Sequence, residues 1–258
     1  MGERMSASTD TTALADLIAS ADEILIVTGA GVSTDSGIPD YRGPKGVWNT
    51  ERPVMYQDFV DDPRMRVEYW DQKLRAADYF NDARPGAVHH ACAELEEAGK
   101  LNALVTQNVD GLHAAAGITA DRLVEVHGTA MEVSCLGCGA RSPTQPHLDV
   151  FAASREAPIC ECGGLLKSAT ISFGQQLDPM TLYRADQAAQ EADLVIALGS
   201  TLSVYPAAEI PLIAARRGVP YAIVNRGETD HDDSIYLTLR IEGDVSVVFP
   251  QAVTTALT

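Results

Sequence analysis

EILIVTGAG (residues 23–31) joins a compact apolar run to a turn carrying two glycines. A strand covered by helices on both faces reads as an unbroken apolar run rather than an alternating one. Glycines at its carboxyl end let backbone amides approach a pyrophosphate. Similar runs follow at LNALV (101–105), RLVEV (122–126), ADLVIALG (192–199) and YAIVN (221–225), each ending in polar or glycine residues. Helical spacing lies between them. TTALADLIASAD (11–22) sets Leu14, Leu17 and Ile18 on one face. AVHHACAELEEAGK (87–100) aligns Val88, Ala91, Cys92 and Leu95 and stops at Gly99, and AAEIPLIAARRG (207–218) stops at Gly218 with Pro211 near its first turn. Alternating strands and helices predict an α/β fold, a Rossmann-like doubly wound parallel sheet.

Two stretches break the alternation. Residues 37–81 are rich in Pro, Gly, Asp and aromatics and read as a loop followed by irregular helices. Residues 131–167 hold four cysteines and prolines at 143, 146 and 158. The expected layout is a large domain over 11–36, 82–130 and 168–258, with a smaller lobe made of a helical insert (37–81) and a zinc-ribbon insert (131–167). Ligands of such sheets bind beyond the carboxyl ends of the strands.

Composition excludes several classes. The 258 residues are 46% hydrophobic and 21% charged, enough for a sizeable core. No run of about 18 apolar residues exists, so no membrane helix is expected. The polar start MGERMSASTDTT lacks the apolar stretch of a secretory signal. It fits the loose myristoylation pattern through Gly2 and Ser6, but so short a pattern arises often by chance. A net charge of −17 disfavours direct nucleic-acid or anionic-membrane binding and suits a cationic partner such as a lysine-bearing peptide, although solubility alone also explains it. Five cysteines, four of them crowded between Cys135 and Cys162, indicate metal rather than disulfides in a reducing, cytoplasmic setting.

The glycine turn extends to GAGVSTDSGIPDYRG (29–43), which gathers the hydroxyls of Ser33 and Ser36 with Asp40, Tyr41 and Arg42. Thr34 stands where a dinucleotide fingerprint has its third glycine. The acid expected about 20 residues on is matched only by Glu51 in WNTERP, which is not strand-like. That counts against an ordinary dehydrogenase and leaves a plain tight turn open. TQNVDGLH (106–113) presents Gln107, Asn108 and Asp110 at a strand tip, where they can orient a ribose or a carboxamide or simply cap a helix. His127 in VEVHGT (124–129) follows another strand, and a histidine there can serve as general base. Cys135-x-x-Cys138 and Cys160-x-Cys162 resemble a four-thiolate structural zinc site. The second pair is one residue shorter than usual, which leaves site occupancy open and makes His147 a conceivable substitute ligand. Cys92, on an apolar helical face, reads as core.

Together GAGVSTDSGIPDYRG, TQNVDGLH, VEVHGT, the cysteine pairs, ISFGQ (171–175), GSTLSVYPA (199–207) and VNRGET (224–229) resemble the bacterial-type sirtuins, NAD-dependent protein-lysine deacylases. The segments occur in family order over roughly 23–245. The resemblance implies that Gly29, Ala30, Gly31, Ser33, Asp40, Tyr41 and Arg42 surround the NAD phosphates, ribose and nicotinamide end. It places Gln107, Asn108, Val109 and Asp110 around nicotinamide, and Gly199, Ser200, Thr201, Asn225, Arg226, Gly243 and Asp244 around the adenosine half. His127 becomes the base, with Asn108 and Asp110 beside it in catalysis. Ile171, Phe173, Gly174, Gln175 and Val204 line the acyl-lysine tunnel, with the substrate peptide added as a strand along 173–176.

The implied reaction releases nicotinamide and moves the acyl group of an acetylated-lysine protein or peptide to ADP-ribose, with zinc in a structural role. Some positions depart from the family pattern. Tyr41 replaces a commoner phenylalanine, Gln175 a frequent glutamate, and Gly86 a frequent asparagine at a helix start. The stretch Tyr69-Trp70-Asp71-Gln72 lacks the arginine of succinyl-preferring members, so neutral acyl groups are expected, acetyl first. The rival readings are a protein ADP-ribosyltransferase using the same NAD cleavage and a non-catalytic NAD or acyl-lysine binding module.

Overall fold

A computed structural model of the chain describes residues 7–40, 46 and 51–258. The five apolar runs form strands, and their continuous hydrophobicity has the expected cause. Along β1 (Ile24–Thr28), Ile24 and Ile26 join one core cluster while Leu25 and Val27 join another, so both faces of the strand are covered. β2 (Leu101–Thr106) and β3 (Leu123–Glu125) lie on one side of it, and β7 (Leu194–Leu198), β8 (Tyr221–Asn225) and β9 (Leu239–Glu242) on the other. The sheet is parallel throughout, in the order β3-β2-β1-β7-β8-β9. Strand order therefore reverses between β1 and β7, which is where such sheets bind their ligands.

On one face pack α1 (Ala7–Ser20), α4 (Ala87–Glu97) and α9 (Val245–Ala256), through residues such as Leu14, Ile18, Val88, Leu95 and Phe249. The other face carries α7 (Pro179–Glu191) and α8 (Glu209–Ala215), largely through alanines. Cys92 is fully buried in the first of these cores, as its helical position predicts. β9 escapes a reading of apolar runs because Ile241 is its one buried residue.

A third core joins the segment after residue 53 to the cysteine-bearing segment. α2 (Tyr56–Asp61) and α3 (Pro63–Asp82) bring Phe59, Tyr69 and Trp70 against Val133, Leu148, Phe151 and Leu166. The latter come from β4 (Gly128–Cys135), α6 (Thr144–Ser154) and β6 (Leu166–Thr170). Trp70 lies 6.4 Å from Phe151, ring centre to ring centre. β5 (Arg141–Pro143), β4 and β6 form a three-stranded antiparallel sheet. The helical insert is more regular than its composition suggests. α3 runs for 20 residues, with Pro63 in its first turn and Asp62 capping Arg64 N–H at 2.8 Å. Its expectation as irregular helix fails because only Tyr69 and Trp70 are buried, so no apolar periodicity shows in the sequence.

Candidate active site

The turn after β1 meets the turn after β7 at backbone contact. A Cβ on Gly31 would sit 2.8 Å from Gly199 Cα, and one on Gly29 would sit 2.7 Å from Ser200 Cβ. Gly29 N–H donates to Leu198 O at 3.0 Å and Gly31 N–H to Gly199 O at 2.8 Å. The amides of Gly29 and Gly31 themselves are therefore engaged within the fold. The glycines are required because two strand ends cross there, and their amides are already paired.

Above that crossing, three side chains from two strand tips converge. Ser33, Asn108 and Asp110 are 1%, 6% and 8% exposed. Ser33 Oγ donates to Asp110 Oδ2 at 2.7 Å, and Asn108 Nδ2 reaches Gly29 O at 3.1 Å and Ser33 Oγ at 3.2 Å. The second carboxylate oxygen of Asp110 accepts Leu112 N–H at 2.9 Å, at the start of α5 (Leu112–Ala115). Asp110 thus bridges the Ser33 hydroxyl and the backbone at the start of α5, whose N-cap residue is Gly111. The small cleft over these groups is walled by Ala30, Ile38, Pro39, Phe80 and Val109. Phe80, near the end of α3, carries no signal in the sequence. Asp40 is half-buried beside the cleft loop, and Tyr41 and Arg42 lie outside the described residues.

Gln107 is shared between the two sides. Its Nε2 donates to Ser200 Oγ at 3.0 Å, and its carbonyl lies 3.0 Å from His127 Nδ1. A carbonyl only accepts, so Nδ1 carries the proton and the lone pair of neutral His127 is on Nε2. Burial holds the His127 pKa below the usual histidine value, against a smaller opposing effect of the Gln107 carbonyl. The imidazole is thus neutral at pH 7, with its basic nitrogen set by geometry. Its backbone is fixed as well. His127 O accepts Ile171 N–H at 2.8 Å, and Gly128 has φ +73° with Ala169 O only 2.1 Å from where a Cβ would stand.

The four cysteine sulfurs lie within 4.8 Å of one another. Cys135 and Cys162 are 3.5 Å apart and Cys138 and Cys160 3.8 Å. Tetrahedral zinc with Zn–S near 2.3 Å requires a sulfur separation of about 3.8 Å, so the cluster fits. The short second pair is accommodated by a tight turn, in which Gly163 N–H donates to Cys160 O at 2.8 Å and Cys160 N–H to Gly164 O at 2.9 Å. A Cβ on Gly164 would collide with Cys135 Sγ at 2.6 Å. The amides of Cys138 and Gly137 draw the Cys135 thiol down to about 6, favouring the thiolate a metal needs. His147 pairs instead with Ser142 Oγ at 2.8 Å, outside the cluster.

Residues 29–206 match the family model for the Sir2 family. This chain belongs to that family. The NAD-dependent protein deacetylase of Rhodopseudomonas palustris is 40% identical over 228 residues, 88% of this chain and 90% of the relative. NAD-dependent protein deacetylase 2 of Streptomyces coelicolor is 42% identical over 215 residues, covering 81% and 88%. One solved Sir2 enzyme agrees with a TM-score of 0.86 at 33% identity, over 97% of this chain and 98% of that one. A Sir2–p53 peptide–NAD+ complex agrees at 0.81 and 35%, over 91% and 93%.

In this Sir2-family chain the remaining expected positions fall in two groups. On the β8 side, Arg226 pairs with Asp244 at 2.7 Å, Asp244 caps α9 through Ser246 N–H at 3.0 Å, and Gly243 N–H donates to Asn225 O at 3.3 Å. Thr201 meets Ser203 Oγ at 2.8 Å. On the other side, Ile171 to Gln175 form a loop pinned to the start of α2, where Tyr56 N–H donates to Phe173 O at 2.9 Å. Gly174 has φ +81° there. The Gln175 side chain turns inward and its Oε1 accepts Ser172 N–H at 3.1 Å. Phe173 is 40% exposed, and Val204 sits half-buried in the turn before α8. Gly86 is indeed an N-cap without a side-chain cap; the helix start is served instead by His89 Nδ1, which accepts Gly86 N–H at 3.1 Å. No helix among the described residues is long and apolar enough to cross a membrane.

Proposed function

We propose that this sirtuin is an NAD-dependent protein-lysine deacetylase. The observation that carries the reading is the convergence of Ser33, Asn108 and Asp110 beside a histidine whose tautomer is fixed by Gln107. Relatives named NAD-dependent protein deacetylase and a neighbour solved with NAD+ and a peptide support it. Bound in this cleft, NAD+ supplies a cationic leaving group, nicotinamide, and a ribose carbon that takes the acyl oxygen.

The residues of the chain then do five things. Asn108 and Asp110 hold the nicotinamide end with amide and carboxylate groups already ordered by Ser33, so little reorganisation accompanies reaction. His127 Nε2 takes a proton from a ribose hydroxyl, which lets that hydroxyl attack the activated acyl group. Ile38, Pro39 and Phe80 keep bulk water from the reacting carbon. The 171–175 loop, with Val204, receives the acyl-lysine, and its hydrogen bond to the His127 carbonyl ties substrate position to the base. Gln107, Ser200, Thr201, Asn225, Arg226, Gly243 and Asp244 carry the rest of the dinucleotide.

With one water consumed, the products are free lysine, nicotinamide and O-acetyl-ADP-ribose. Zinc on Cys135, Cys138, Cys160 and Cys162 holds the small lobe and takes no part in the chemistry. The four gathered thiols fit a reducing, cytoplasmic setting. Acetylated-lysine proteins are the partners, with acetyl preferred among acyl groups. Labelled NAD+ mixed with the chain and an acetylated peptide tests the reading. Label in acetyl-ADP-ribose supports it, and label fixed to protein instead indicates ADP-ribosyl transfer.

A further inference from the structure

The chain leaves β8 through Arg226 and Gly227 and returns to the sheet at β9, where one side chain holds the exit turn in place. The side chain of Arg240, on β9, is 21% exposed. Its Nη1 donates to Asn225 O at 3.1 Å and to Ile241 O at 2.6 Å, and its Nη2 donates to Gly227 O. Its Nε donates to Asp232 Oδ1 at 2.8 Å. One planar guanidinium thus gathers three backbone carbonyls and a carboxylate in a rigid fork.

The carboxylate in the fork is itself built into the loop. Asp232 accepts Thr229 N–H at 3.1 Å and the Thr229 hydroxyl at 2.5 Å. Between these two residues, Asp230 N–H donates to Thr201 O at 3.0 Å, in the turn after β7. The segment after β8 is therefore fastened to its own strand end and to the neighbouring strand tip. Ladder bonds alone do not achieve this, because Gly227, at φ +84°, has already turned away from the sheet.

We propose that Arg240 is a positioning residue for the adenosine half of the dinucleotide. Its guanidinium fixes the Asn225–Gly227 turn and, through Asp232, the segment that bonds to Thr201. Both strand tips are then set before a ligand arrives, and a ligand that meets an ordered turn loses no affinity in ordering it. A lysine at 240 would carry the same charge, but its single ammonium lacks the planar fork that reaches carbonyls on both sides. The inference rests on the reading of Thr201, Asn225 and Arg226 as adenosine-side residues, and Arg240 itself need not touch the dinucleotide.

Titration calorimetry of the full chain with ADP-ribose tests the role. Arg240→Met keeps a stem of similar length and removes every N–H. Its affinity for ADP-ribose should fall roughly tenfold or more, because the ligand must then order the turn itself. In nicotinamide release KM for NAD+ should rise by a similar factor, while kcat and KM for an acetylated peptide stay within about twofold. Arg240→Lys should regain only part of the affinity. In the ligand-free chain, hydrogen exchange at the amides of 229–231 should quicken in Arg240→Met and stay unchanged across β4. Unaltered ADP-ribose affinity or unaltered exchange in Arg240→Met, full recovery in Arg240→Lys, or an equal rise in both KM values overturns the proposal. If Arg240→Met does not melt cooperatively, Arg240→Lys decides: weakened binding of ADP-ribose supports the fork, and wild-type affinity overturns it. A wild-type chain that binds no ADP-ribose sinks the adenosine-side reading, and the exchange comparison then still decides whether Arg240 orders the turn.

Discussion

The carbonyl of Gln107 holds Nδ1 of His127 at 3.0 Å, so the strand tip that carries Asn108 and Asp110 also sets the tautomer of His127. Gln107 binds Ser200 through its side chain and His127 through its backbone. Movement at either strand end is therefore felt at the imidazole.

The pH profile follows from that contact. Burial holds the His127 pKa below its ordinary value, so the ring stays neutral through pH 7 and gains a proton only on the acid side of the usual histidine range. kcat/KM for deacetylation should be flat from about pH 7 upward through the neutral range and fall as pH drops below about 6.5. His127→Ala should fold normally and lose deacetylation. An acidic limb lying above the ordinary histidine range would contradict the assignment.

Stability should also fall on acidification. The unfolded chain protonates His89 and His113 near pH 6.5, whereas their folded pKa values are lowered by burial. Their contribution is complete above about 6.5 and declines below it, by about 1.4 kcal/mol per pH unit for each histidine until the folded value is reached. Glu125 acts in the opposite sense, since burial, then the charge of Asp110, pushes its carboxyl up to about 6. Urea unfolding between pH 7 and 5 measures the balance, and His113→Phe should show the smaller loss.

Gly128→Ala tests the support beneath His127. The new methyl would meet Ala169 O at 2.1 Å from a backbone with φ +73°. A loss of about 3 kcal/mol or more is expected from strain and clash together, read as a lowered thermal midpoint. An unchanged midpoint would show that the β4–β6 junction is not rigid.

Zinc removal should act on the small lobe. The chain is expected to bind one zinc, and chelation or Cys162→Ser should loosen the core of Phe59, Trp70 and Phe151 while the parallel sheet persists. Metal analysis with Trp fluorescence follows both. Absence of bound zinc in a chain purified without chelator would contradict the reading of the cysteines.

Much of this architecture was legible in the sequence because the sheet is covered on both sides. Strands such as 24–28 and 194–198 are wholly buried, and burial of every residue leaves an unbroken apolar run. β9 and α3 were not legible for the converse reason, since each buries too few residues to impose a pattern. The cleft residues announced themselves by residue type at strand ends. Phe80 did not, because its place in the cleft wall arises only where separate elements meet. Gly29 and Gly31 were found for an incomplete reason, as close packing against Gly199 is visible only once β1 and β7 are neighbours.

The central claim is that Asn108, Asp110 and His127 meet over one ribose. A crystal structure of the chain with NAD+ and an acetylated peptide tests it directly. The account predicts the nicotinamide ribose within hydrogen-bond reach of His127 Nε2, with the nicotinamide amide held by the Asn108–Asp110 tip. A ribose bound elsewhere, or a His127 ring turned so that Nδ1 leaves the Gln107 carbonyl and faces the sugar, would contradict it.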